Sequence, residues 1–212
     1  MALFQSIRLV KAGRAGTVLP AEFKDISAER FRLYSEEIGK KMMFCVIGES
    51  MSPEGIHTDN ILIADEIKVD DDANNRLKEG DFIILRIPKH EECTTDAKSV
   101  DLLDASQLKV RKFITILNLD ESYDSIWEKV KDNDKLSKIE EAEKIFKLKY
   151  EQAISRIPKE DKLEVLLSIT YTAKYGREYS FHTRKMLYAR VVSYIDNNNN
   201  LIDLFNTNTN DL

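Results

Sequence analysis

The sequence predicts a mainly β core carrying a helical insertion, α+β overall, and three observations carry that reading. Short apolar runs bounded by turn residues recur between Met42 and Ile116. Runs of about four to eight β-prone residues with such boundaries read as strands. From Ser122 to Ile157 the apolar period changes to that of a helix, and strand composition then returns.

Residues 1–40 hold few long apolar runs, and two glycines with a proline in Lys11 to Pro20 predict an exposed, flexible arm. Ile26 to Ile38 can hold a short helix. Met42 to Ile47, Ile61 to Ala64 and Phe82 to Ile87 are the first three predicted strands of the core, the third opened by the Gly80-Asp81 turn. Leu108 to Ile116 alternates in character and predicts another strand, after a polar insertion from Pro88 to Gln107. Ile126, Val130, Leu136, Ile139, Ala142, Ile145, Phe146, Leu148 and Ile154 then recur at helical spacings amid dense Lys and Glu. Pro158 stops this helical region. Leu163 to Tyr171 and Met186 to Ile195 return to strand composition, and the Asn-rich end predicts a frayed tail. The organisation expected is therefore an arm over 1–40, a core over 41–119 and 161–196, a helical insertion over 120–160, and a polar tail over 197–212.

Bulk properties narrow the function classes. A chain of 212 residues can bury a core without staples, and 33 % charged with 42 % hydrophobic residues is ordinary globular composition. The net charge of −5 argues against a chain dominated by phosphate contacts to nucleic acid. No apolar run reaches the roughly 20 residues needed to span a bilayer, and no signal-peptide pattern opens the chain. Cys45 and Cys93 show no metal-ligand spacing, so a reducing, cytoplasmic setting with no metal or cofactor is expected. His57, His90 and His182 are scattered and are expected as surface or hydrogen-bonded polar residues. Lys and Glu within 128–151 predict a solvated helix face, and Trp127 a core or docking contact.

The most informative stretch is Val46-Ile47-Gly48-Glu49-Ser50-Met51-Ser52-Pro53-Glu54-Gly55-Ile56, followed by His57-Thr58-Asp59-Asn60-Ile61-Leu62-Ile63-Ala64-Asp65. It sets a serine at a tight turn between two strand-like runs, where its hydroxyl is useful only if a nearby group removes its proton. The order resembles the nucleophile motif of the LexA/UmuD self-cleaving peptidases, Gly-Asp-Ser-Met-x-x-x-Gly-Ile-x-x-Gly-Asp. Glu49 keeps the charge of the usual Asp, and Asp59-Asn60 stands for Gly-Asp with residues that tolerate the same turn. Gly80-Asp81-Phe82-Ile83-Ile84, Lys162 to Leu167, Tyr179 to Phe181 and Met186 to Val192 resemble later segments of the same family. Ala15-Gly16-Thr17-Val18-Leu19-Pro20-Ala21-Glu22 resembles the UmuD cleavage segment.

The resemblance implies a LexA/UmuD-type β fold, Ser50 as nucleophile, a lysine as base, and cleavage of the arm between Ala15 and Gly16, with Ala12-Gly13 a second candidate bond. The family lysine lies in a Val-Lys-Arg-hydrophobic strand, whereas this chain reads Val110-Arg111-Lys112-Phe113. Strict alignment puts Arg111 at the lysine position, and alternation then turns Lys112 to the other strand face unless a bulge intervenes. Arginine stays protonated, while lysine can be driven neutral by desolvation. Backbone N–H groups from Glu49 to Met51 are the implied oxyanion donors. The family also implies a homodimer, an activated recombinase filament that favours cleavage, a translesion polymerase as partner, and a DNA-damage (SOS) role. With only about 40 residues before the core, no helix-turn-helix domain and no sequence-specific DNA binding are expected. The alternative is an inactive descendant that acts as a binding module through its helical insertion.

Overall fold

The computed structural model describes residues 8–11, 41–67, 77–88, 106–131, 139–172 and 176–204. The described residues form strands β1 (Arg8–Lys11), β2 (Met42–Ile47), β3 (Ile61–Glu66), β4 (Phe82–Pro88), β5 (Ser106–Leu117), β6 (Val165–Thr172), β7 (Gly176–Thr183), β8 (Leu187–Ile195) and β9 (Leu201–Asp203). Two α-helices, α1 (Tyr123–Lys131) and α2 (Ile139–Arg156), separate β5 from β6. The chain is thus mainly β with a helical segment. None of the described helices is long and apolar enough to cross a membrane.

The strands lie in the order β1-β2-β3-β8-β4-β5-β6-β7, and β1 also pairs with β5. That second pairing, Lys11 with Lys109, closes six strands into a barrel. Its interior holds Phe44, Val46, Leu62, Ala64, Ile84, Val110 and Ala189. These positions alternate along their strands, as a pleated wall with one face inward requires. The two pairings of β1 are parallel, and the other pairings in the sheet are antiparallel.

β5 is long enough to belong to two layers. Ser106 to Lys112 pair with β4 in the barrel, and Lys112 to Leu117 pair with β6 after a register shift between Phe113 and Thr115. β6 and β7 extend the sheet beyond the barrel. There α1 and α2 bury Ile126, Trp127, Val130, Phe146 and Ala153 against Val165, Leu167, Ile169, Tyr179 and Phe181.

Three expectations need correction. Arg8 to Lys11, inside the predicted arm, are a barrel strand. The helices of the expected insertion do not stand apart from the core, because their apolar stripe and the outer face of β6 and β7 form one buried cluster. Leu201 to Asp203, inside the predicted tail, pair with Ser193 to Ile195 as β9. The predicted helix at Ile26 to Ile38, most of the polar insertion, Cys93, His90 and both candidate scissile bonds lie outside the described residues.

Candidate functional site

The loop from Gly48 to Asn60 stoppers one end of the barrel. Its base is closed by Val46 N–H to the Asn60 carbonyl (2.9 Å) and Asp59 N–H to the Val46 carbonyl (2.9 Å). Met51 and Ile56 are fully buried and join the barrel's core cluster, so the loop is held by two apolar anchors on either side of a 3-10 turn, Ser52–Glu54. Asp59 takes a left-handed φ of 69°, which Asp tolerates better than most residues other than glycine. Glu49 accepts from Thr58 N–H (3.0 Å) and lies 3.3 Å from His57 Nδ1. The hydrogen bonds with Thr58, more than the contact with His57, hold its carboxyl below the usual range. Asn197, from the predicted tail, donates to the Thr58 carbonyl (3.1 Å).

Gly55 ends the 3-10 turn at φ 80°, with the Tyr194 hydroxyl 3.4 Å from where a Cβ would stand. Gly55→Ala should therefore destabilise the protein by about 1–2 kcal/mol through the left-handed backbone alone. Chemical denaturation at constant m-value checks this. An unchanged midpoint would mean that the turn relaxes freely.

Ser50 sits half-buried at the turn between β2 and Ser52. Its carbonyl accepts from Tyr171 N–H (2.9 Å) and lies 3.4 Å from Thr170 Oγ1, so the turn is pinned to the end of β6. Among the described residues, no acceptor is paired with the N–H of Ser50 or Met51. Those are the donors an oxyanion at this turn needs.

The two candidate bases of β5 point to opposite faces of the strand. Lys112 pairs with Phe82, which belongs to the barrel core together with Val110, Met51 and Ile56. Arg111 pairs with Ile83, which packs with Leu85 and Phe113 in a cluster on the other face. No register shift interrupts β4–β5 pairing between Ser106 and Lys112, so simple alternation decides the matter. Lys112 extends from its face to the Ser50 loop and ion-pairs with Glu54 (Nζ to Oε2, 2.6 Å). Arg111 is 4 % exposed and donates to the Val110 carbonyl (2.8 Å), while its Nε has no partner. Burial brings its pKa down to about 10, against a smaller raising effect of Glu178.

Glu54 is the residue that sequence reasoning missed. Besides Lys112 it accepts from the Tyr171 hydroxyl, tying the Ser50 loop, β5 and β6 together. Burial alone would raise its carboxyl, but the hydrogen bonds from Lys112 and Tyr171 prevail and hold it below the ordinary carboxylate range. That contact stabilises the fold above the unfolded carboxylate pKa of about 4.3, and the stabilisation is lost as pH falls through the folded value. Burial, then Glu54 itself, push the Tyr171 phenol upward. A glutamate three residues after the Ser50-Met51 pair gave no sequence signal, because its partners are 58 and 117 residues away.

Among the described residues, no group of three or more His, Cys, Asp or Glu could hold a metal ion. Comparison of the chain with models of known families, with curated proteins and with solved structures finds no match.

Proposed function

We propose that this chain is a LexA/UmuD-like Ser–Lys peptidase that cuts its own N-terminal arm, with Ser50 as nucleophile and Lys112 as base. The observation that carries the reading is that Lys112, not Arg111, shares the barrel-core face with the Ser50 loop and touches that loop. In the reaction, neutral Lys112 takes the proton of Ser50 Oγ as the oxygen attacks the carbonyl carbon of Ala15. The N–H groups of Ser50 and Met51 receive the oxyanion. The amine then passes that proton to the leaving nitrogen of Gly16, and water releases the acyl group.

The topology favours the arm as substrate. Lys11 pairs with Ile47, three residues before Ser50. Gly16 follows Lys11 by five residues, a reach of at most about 18 Å. The chain itself thus supplies proximity, which lets a slow dyad suffice. A homodimer, an activated recombinase filament, a translesion polymerase and an SOS role belong to the same proposal through the family likeness.

Incubation of the purified chain from pH 7 to 10, followed by mass spectrometry, tests it. A fragment beginning at Gly16 should accumulate faster as pH rises, and Ser50→Ala and Lys112→Ala should each abolish it. Arg111→Lys should not accelerate cleavage. Acceleration by that variant would move the base to position 111 and overturn the assignment.

A second reading rests on the Lys112–Glu54 ion pair, which engages the amine that the role of base needs free. In it the chain is an inactive LexA/UmuD-like binding module acting through its helices. Intact protein throughout, even with an activated filament, would leave this reading alone.

A further inference from the structure

The face of β5 that carries Arg111 borders a cavity of about 480 Å³, bounded also by β6, β7 and the C-terminal turns of α2. Its lining is cationic. Lys109 and Arg111 come from β5, Lys149 and Arg156 from α2, against one carboxylate, Glu178. That carboxylate is already paired with Lys149 (2.7 Å).

Two lining side chains are deeply buried with donors or acceptors unused. Arg111 Nε is unpaired at 4 % residue exposure, and both ring nitrogens of His182 are unpaired at 7 %. Buried polar groups are nearly always hydrogen-bonded, and a buried guanidinium without an anion is costlier still. His182 also overturns the expectation of a surface or satisfied histidine. Arg156 spends one nitrogen on the Phe181 carbonyl (2.9 Å), which fixes its fork beside the cavity.

We propose that this cavity binds a small phosphorylated ligand, its phosphoryl oxygens held by Arg111, Arg156 and His182. Guanidinium forks match tetrahedral oxyanions in a bidentate manner. Four cations to one carboxylate suit a dianion better than a single carboxylate group. The volume lies in the range of small-molecule sites rather than of a lone ion. The proposed ligands of the phosphoryl group are separate from Ser50 and Lys112, although Thr170, which lines the cavity, also lies 3.4 Å from the Ser50 carbonyl.

The electrostatics give the site a signature. Around His182 stand Lys109 and Arg111 of β5, Lys149 and Arg156 of α2, and Glu178 of β7. Burial first, then Arg111, Arg156 and Lys109, hold its imidazole well below the ordinary histidine range. It is therefore neutral when the cavity holds no anion. A bound dianion reverses that field, so binding should take up a proton at His182.

The test is calorimetric titration of the full chain with inorganic phosphate and with glycerol 3-phosphate. It is run at pH 8, where both probes are mainly dianions, in buffers of different ionisation enthalpy, with glycerol and sodium chloride as controls. One-to-one saturable binding is expected, with buffer-dependent heat from the proton taken up. Tighter binding of inorganic phosphate would identify free phosphate as the ligand, and tighter binding of glycerol 3-phosphate a phosphate ester. Arg111→Met should weaken binding about tenfold or more. His182→Asn should remove the buffer dependence while leaving saturable binding. Should Arg111→Met fail to fold, the ring signals of His182 in the unmodified protein decide, since phosphate must move them to their protonated positions. No saturable binding of either probe up to about 10 mM, undiminished affinity in Arg111→Met, or His182 signals unmoved by phosphate would overturn the proposal.

Discussion

Phe146→Ala should lower the stability of the protein by about 3–5 kcal/mol, the usual cost of emptying a buried aromatic site. The ring is fully buried at the point where α2 meets the sheet. Its centroid lies 5.2 Å from Trp127, 5.2 Å from Tyr179 and 5.4 Å from Phe181. Helix α1, helix α2 and β7 thus converge on one side chain, and no neighbour can fill the gap without abandoning another contact. In a chain of this length the loss should lower Tm by about 10 °C. Leu148→Ala, on the same helix but 55 % exposed, is the control and should change little. A loss below about 1 kcal/mol at Phe146 would mean that the helices do not share the core of the sheet.

Glu54→Gln should speed self-cleavage severalfold, the scale of releasing one ion pair worth about 1 kcal/mol. The carboxylate is 2.6 Å from Lys112 Nζ, and its removal frees the amine from the ion pair that occupies it. The amide is nearly isosteric and can still accept from Tyr171, so the loop should remain seated. A slower rate in Glu54→Gln would mean that Glu54 orients the amine for the reaction rather than restraining it. The readout is the same fragment mass, followed in time across pH.

The parts of this architecture written in local patterns were legible. Met42 to Ile47 and Phe82 to Ile87 have the composition of buried strands, and the structure extends the latter only by Pro88. The helical period from Ser122 onward matches α1 and α2. What escaped were features set by distant partners. β1 is four residues long and gains its hydrogen bonds from Phe44 to Ile47 and Lys109, far along the chain. Alternation shows that Arg111 and Lys112 oppose each other but not which faces inward. Phe82, Val110 and Met51 decide that by burying the Lys112 face. His182 is concealed for the same reason, since its surroundings come from β5 and α2.

The closure of the barrel by β1 gives the proposed cut a meaning beyond shortening the chain. Hydrolysis between Ala15 and Gly16 would leave β1 attached to nothing covalent, a peptide lodged between β2 and β5 by the pairings of Arg8 to Lys11. Its retention would then become a dissociation equilibrium instead of a property of the fold. Release would bare two facing strand edges, each with a row of unmet N–H and C=O groups, the kind of template that captures another strand. Scission would thereby convert a sealed barrel into a receptor for an extended segment, and dilution or competing peptide, rather than further chemistry, would determine whether it stands open.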